Sequence, residues 1–186
     1  LEALGNTPYM QIAGRRIESD LMTSPAVRNA SFSGNLFGLG VLKLDYRSAV
    51  ARLLEADQIG LDAEGVLFRD EDLSPSLLKV GVQSGTMAPS ATLTGPFALK
   101  AVADLAIQLK EIPGMEMATI TVDRDRGLCF NIERRRVVLG LPEGIPDKLA
   151  ALERVMLSSD WPNVAELNLM APESPAFKPT KQADRP

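Results

Sequence analysis

The sequence predicts an α+β fold: an antiparallel β-sheet with helices packed on one face. Short runs of alternating apolar and polar residues recur between Gly-, Asn- and Asp-rich turns, as strands with one buried face require. Three other stretches place apolar residues at three- and four-residue intervals, which is helical spacing. With 186 residues, 45% of them apolar, the chain has enough material for a packed core in one ordinary domain or two small ones.

The first helix is read over residues 14–22, GRRIESDLM, where Ile17, Leu21 and Met22 share a face and Pro25 forbids continuation. AVRNASF and GVLKLDY follow as strands joined by the Gly- and Asn-rich SGNLFGL. QIGLDAEGVLFRD holds two short strands about the turn Asp62, Ala63, Glu64, Gly65, with glycine where a positive φ is expected. LLKVGV, residues 77–82, is one more strand.

Between residues 95 and 113, Ala98, Val102, Leu105, Leu109 and Ile112 mark a second helix, with Pro96 in its first turn and Pro113 and Gly114 ending it. MATITV, GLCFNI and RVVLGL then read as an antiparallel meander. A third helix over residues 147–157 turns Leu149, Leu152, Val155 and Met156 inward. VAELNLM is the last predicted strand, in which Val164, Leu167 and Leu169 serve a buried face only if the strand bends or is buried on both faces. The tail after Pro172 carries four of the 13 prolines, counting Pro172, and is expected to be extended and then disordered.

Composition narrows the function classes. A net charge of −4, from 24 acidic and 20 basic residues spread along the chain, supplies no basic field for nucleic acid. Histidine is absent, which removes the commonest proton shuttle, nucleophile activator and transition-metal ligand. The one cysteine, Cys129, sits among apolar neighbours as a small hydrophobe does, and no disulfide within the chain is possible. No apolar run approaches the ~20 residues that cross a bilayer, and no signal pattern opens the sequence. Leu1 is not a methionine, so the sequence reads as a fragment of a longer chain.

In that order of elements the sequence resembles the extracytoplasmic part of the bacterial cell-division family FtsQ, called DivIB in Gram-positive bacteria. Pro25, Val27, Ala30 and Phe32 match the family's "P-x-V-x-x-A-x-V" strand, and Arg47 with Val50 and Ala51 matches the arginine and "P-V-A" segment that follow. Asp62, Gly65 and Phe68 match its "D-x-x-G-x-x-F" hairpin. Leu139, Gly140, Lys148, Leu149 and Leu152 match a strand-to-helix passage, and Leu167, Asn168, Leu169, Met170 and Ala171 take the place of the closing "ID-L-R-Y" strand. The likeness runs over residues 4–179. Ala49 replaces a usual proline, Asn168 an aspartate, and Met170 and Ala171 an Arg-Tyr pair.

The resemblance implies a partial POTRA domain over residues 1–47, a β domain abutting it over 48–172, and a proline-rich tail over 173–186. It implies a non-catalytic scaffold in the cell inner membrane, anchored by a single helix upstream of Leu1, that binds FtsB (DivIC) and FtsL at the septum. The closing strand is the implied docking edge, through Leu167, Asn168, Leu169, Met170, Ala171 and Phe177, because an edge strand offers unpaired N–H and C=O groups to an incoming strand. The plainer alternative is a core strand with Phe177 tucking the tail back on it. A POTRA sheet lacking its first strand is also expected to self-associate through the open edge.

Two rival functions remain: a POTRA-bearing transport or outer-membrane assembly component, and a hydrolase working through carboxylates. For the second, Asp62, Glu64 and Asp70 are the candidate acids, although each sits where a turn favours polar residues. RDED, residues 69–72, lacks the calcium-loop pattern and reads as a solvated loop. GNLFGLG, residues 34–40, lacks both phosphate-loop orders. Ser84 and Ser90 have no histidine partner. Arg134, Arg135 and Arg136 read as a solvated turn entering a strand rather than a lipid contact. No cofactor or metal is expected.

Overall fold

A computed structural model describes residues 14–34, 40–82, 99–123 and 125–180. The chain divides into two compact units, Leu1–Ser48 and Ala49–Pro186.

The first unit holds helix α1 (Gly14–Met22) and strands β1 (Val27–Gly34) and β2 (Gly40–Tyr46), an antiparallel pair. Three residues separate Val27 from Ala30, which in a regular strand would send them to opposite faces. A bulge between Val27 and Asn29 absorbs the extra residue, so both are buried. Glu18 on α1 accepts a hydrogen bond from the Phe32 N–H at 2.7 Å, tying the helix to β1. Arg47 closes the unit, its Nε donating to the Pro25 carbonyl at 3.0 Å and its N–H to Ala26. Ile17 and Leu21 are half-buried as expected, but Met22 is exposed, because two strands give a nine-residue helix too little to cover its whole apolar stripe.

In the second unit the described residues form one nine-stranded sheet in the order β11-β10-β9-β8-β7-β6-β3-β4-β5. Its strands are β3 (Ala49–Leu53), β4 (Ile59–Asp62), β5 (Leu67–Arg69), β6 (Leu78–Val82), β7 (Thr119–Asp123), β8 (Gly127–Ile132), β9 (Arg135–Gly140), β10 (Val164–Asn168) and β11 (Ala176–Pro179). Helix α2 (Leu99–Lys110) lies between β6 and β7 in sequence, and α3 (Ile145–Met156) between β9 and β10. The predicted Pro96 and Ala98 of α2 lie outside the described residues, as do most of SGNLFGL and GNLFGLG, Ser84, Ser90 and the end of the tail.

The α+β class holds, and the meander β7-β8-β9 is antiparallel as its turns predict. The sheet is mixed rather than wholly antiparallel: β3–β6, β6–β7 and β9–β10 are parallel. The reason is the intervening segments. A helix placed between strands carries the chain back to the end where it began, so β6 to β7 and β9 to β10 are crossover connections. Between β3 and β6 the hairpin β4-β5 leaves the chain at the end where β3 finished, and residues 70–77 carry it back.

One face of this sheet forms the core with both helices. Val102, Leu105 and Leu109 of α2 and Leu149 and Leu152 of α3 join Val80, Ile120, Leu128, Phe130, Val137 and Leu139 in a single buried cluster. Burying each such side chain is worth about 1.5–3 kcal/mol.

The turn between β4 and β5 explains a carboxylate. Asp62 is buried, and its Oδ1 accepts the N–H of Glu64 at 3.0 Å and of Val66 at 2.7 Å, while the Gly65 N–H donates to its carbonyl. Asp62→Ala strips two part-buried donors of their acceptor and is expected to cost about 1–3 kcal/mol. Asp62→Asn keeps an oxygen in place, so a urea midpoint that falls as far for Asn as for Ala would refute this role.

Candidate functional site

The six residues implicated in partner binding fall on two adjacent strands and the turn between them. Leu167 and Asn168 end β10, Leu169, Met170 and Ala171 follow it, and Phe177 lies on β11. The expectation of a docking edge along Leu167 to Ala171 is corrected by the pairing. β10 is flanked by β9, with Leu167 opposite Val137, and by β11, with Leu167 opposite Phe177. Leu167 and Leu169 are 0% exposed, and the Leu169 N–H donates to the Val138 carbonyl at 2.8 Å.

A bulge between Val164 and Glu166 inserts Ala165 and turns Val164, Leu167 and Leu169 to the same buried side, which is the first of the two ways their spacing allowed. The start of the tail is extended as expected, but it pairs, so VAELNLM is not the last strand. After a turn closed by the Ser174 N–H on the Ala171 carbonyl, residues 176–179 return as β11, and β11 is one edge of the sheet among the described residues, β5 the other.

The direction of the β11 backbone follows from one bond. The Thr180 N–H donates to the Asn163 carbonyl at 2.7 Å, so Thr180 faces β10. Alternation along an antiparallel pair then turns Lys178 and Ala176 toward β10 and leaves the N–H and C=O of Phe177 and the C=O of Pro179 pointing outward. The Phe177 side chain is 52% exposed. It borders a groove of about 320 Å³ with Val155, Arg154, Asp160, Pro172 and Pro175.

Met170, also half-exposed, rests on Gly140, whose φ of +76° suits glycine and whose missing Cβ would lie 2.9 Å from the Met170 Cγ. Beside it lies a pocket of about 410 Å³ with Leu139, Leu141, Glu143, Asp147 and Lys148. Lys148 is buried with its Nζ on the Leu141 carbonyl at 2.7 Å. Burial pushes its ammonium pKa down, against the opposing pull of Glu143.

The sheet face away from the helices carries charge pairs that join strands. Glu166 on β10 receives Lys178 of β11 at 2.7 Å and Arg126 at 2.8 Å. The Lys178 bond first, and Arg126 after it, hold the Glu166 carboxyl below its usual range. Arg136 meets Asp123 at 2.6 Å and the Cys129 Sγ at 3.6 Å. Burial pushes the Cys129 thiol up, and Arg136 partly offsets this. Arg135 lies 5.0 Å above the Trp161 ring and donates from Nε to the Trp161 carbonyl. Of the three arginines read as a turn entering a strand, Arg135 and Arg136 lie on the strand, at the start of β9. The available signal was parity: Asp123 and Arg136 occupy same-face positions of the predicted meander.

The remaining candidates stay apart. Asp62 serves its own turn, Glu64 is exposed, and Asp70 accepts the Asp72 N–H at 3.0 Å in the exposed loop. Among the described residues no group of three or more Cys, Asp or Glu is placed to hold a metal ion. No protein-family model matches the chain, and no curated protein does.

Proposed function

We propose that this chain is the extracytoplasmic part of a cell-division scaffold of the FtsQ/DivIB kind, which binds FtsB (DivIC) and FtsL equivalents and helps regulate septal peptidoglycan synthesis without chemistry of its own. The reading rests on the order of motifs in the sequence, with a partial POTRA domain before the β domain. Its anchor in the cell inner membrane lies upstream of Leu1; among the described residues no helix is long and apolar enough to cross a membrane.

The observation that carries the reading is the outward edge of β11. Its central residue offers both backbone groups, and its aromatic side chain is half-exposed beside a groove, so a partner gains backbone bonds and an anchor together. The docking surface is thus Phe177 with Met170 nearby, while Leu167, Asn168 and Leu169 support it from below.

Titration of the chain with the extracytoplasmic segments of FtsB- and FtsL-type proteins is the test. Phe177→Asp is expected to weaken that binding at least about tenfold, the effect of losing a typical interface anchor. Its urea midpoint should stay close to wild type, since the side chain is half in water already. Binding that survives the substitution would move the site elsewhere, and no binding by the wild-type chain would remove the division reading.

A further inference from the structure

The outer edge of β11 is bounded by two residues that cannot donate. Pro179 points its ring outward where a ladder would need an N–H, and Pro175, just before the strand, has no N–H in any direction. Phe177 is therefore the one position between them with both a donor and an acceptor facing out.

We propose that Pro175 and Pro179 select what pairs with this edge: they exclude a second copy of this chain and leave a shorter, proline-free strand of a partner one full backbone pair, at Phe177. If two copies paired antiparallel about Phe177, Pro175 of each would oppose Pro179 of the other. Every flanking pair would then bring carbonyls together with no N–H on either side, leaving only the two central bonds. A proline-free strand keeps those two and also donates to the outward Pro179 carbonyl. Sliding it by two residues puts another of its residues opposite Phe177 and keeps that pair, so Phe177 is the fixed point of any pairing along this edge. Natural sheets use edge prolines against such self-pairing.

The choice among partners rests on the docking function proposed above, whereas the exclusion of a second copy depends on the edge alone. The test therefore needs only this chain. Pro175→Thr/Pro179→Thr restores both donors with a residue suited to strands, and Pro179→Thr alone restores one. In sedimentation velocity the double variant is expected to associate at concentrations where wild type shows no such species, with the single variant between them. Comparison with wild type removes association through any other edge.

Exchange of the Phe177 amide locates the effect. In the double variant it should slow by about tenfold or more as concentration rises, and in wild type it should not change. A double variant that melts like wild type, sediments like it and keeps a fast Phe177 amide overturns the proposal. Wild-type chain that already protects this amide with concentration overturns it equally. Failure to bind a division partner would leave these readouts untouched and would count only against the docking function.

Discussion

Gly65→Ala is expected to destabilise the sheet unit by about 2–5 kcal/mol, summing the cost of a left-handed backbone for an alanine and that of forcing atoms into a filled space. Gly65 has φ +82°, and a Cβ there would lie 2.4 Å from the Lys100 backbone nitrogen and 2.8 Å from its Cα. Those atoms belong to the first turn of α2, and a helix backbone cannot swing aside as a flexible side chain would. Either the β4-β5 turn lifts, straining the bonds that Asp62 makes within it, or α2 shifts against β3 and β4. Chemical denaturation measures the loss directly. A midpoint within about 0.5 kcal/mol of wild type, the range of an ordinary surface change, would show that turn and helix yield freely.

The second large effect separates architecture from recognition. Leu167→Ala removes a fully buried side chain lying between β9 and β11, and a loss of about 2–5 kcal/mol is expected, as for other core leucines. Partner affinity should fall only to the extent that the unit unfolds, so it should recover at lower temperature, where the variant is folded. Phe177→Asp should give the reverse pattern, with stability kept and affinity lost at every temperature. Equal behaviour of the two variants would mean that β10 and β11 form one surface and that the edge assignment is wrong.

What the sequence made legible follows the range of the interactions involved. The meander and the helices announce themselves through periodicity, because strands joined by tight turns pair with neighbours and an amphipathic helix shows its face in any window of a dozen residues. The turn at Asp62 and Gly65 was legible for the same reason, since its chemistry closes within five residues. The parallel pairs were not. β6 lies beside β3 only because residues 70–77 carry the chain back past the β4-β5 hairpin, and no local pattern records which edge a returning strand joins.

The candidate site was harder for a more specific reason. AFKP, the sequence of β11, is short, proline-flanked and exposed at all four positions, so it has the composition of a linker. Its pairing is supplied by β10, and the extra residue Ala165 that lets β10 bury three apolar side chains is invisible until the partners are known. Phe177 could be marked as a residue of interest from sequence, but that it stands on the edge, with Leu167 inside, is a property of the folded sheet.

Cys129 gives the molecule a built-in reporter. It is the chain's one thiol, lies 0% exposed on β8 within the nine-stranded sheet, and is held toward its protonated, unreactive form chiefly by burial. A small disulfide reagent reaches it only when the groups over that part of the sheet, Arg136 among them, move aside. The labelling rate therefore counts excursions of the sheet's interior in the unaltered protein, without a foreign probe, and stays silent while a strand at the rim comes and goes.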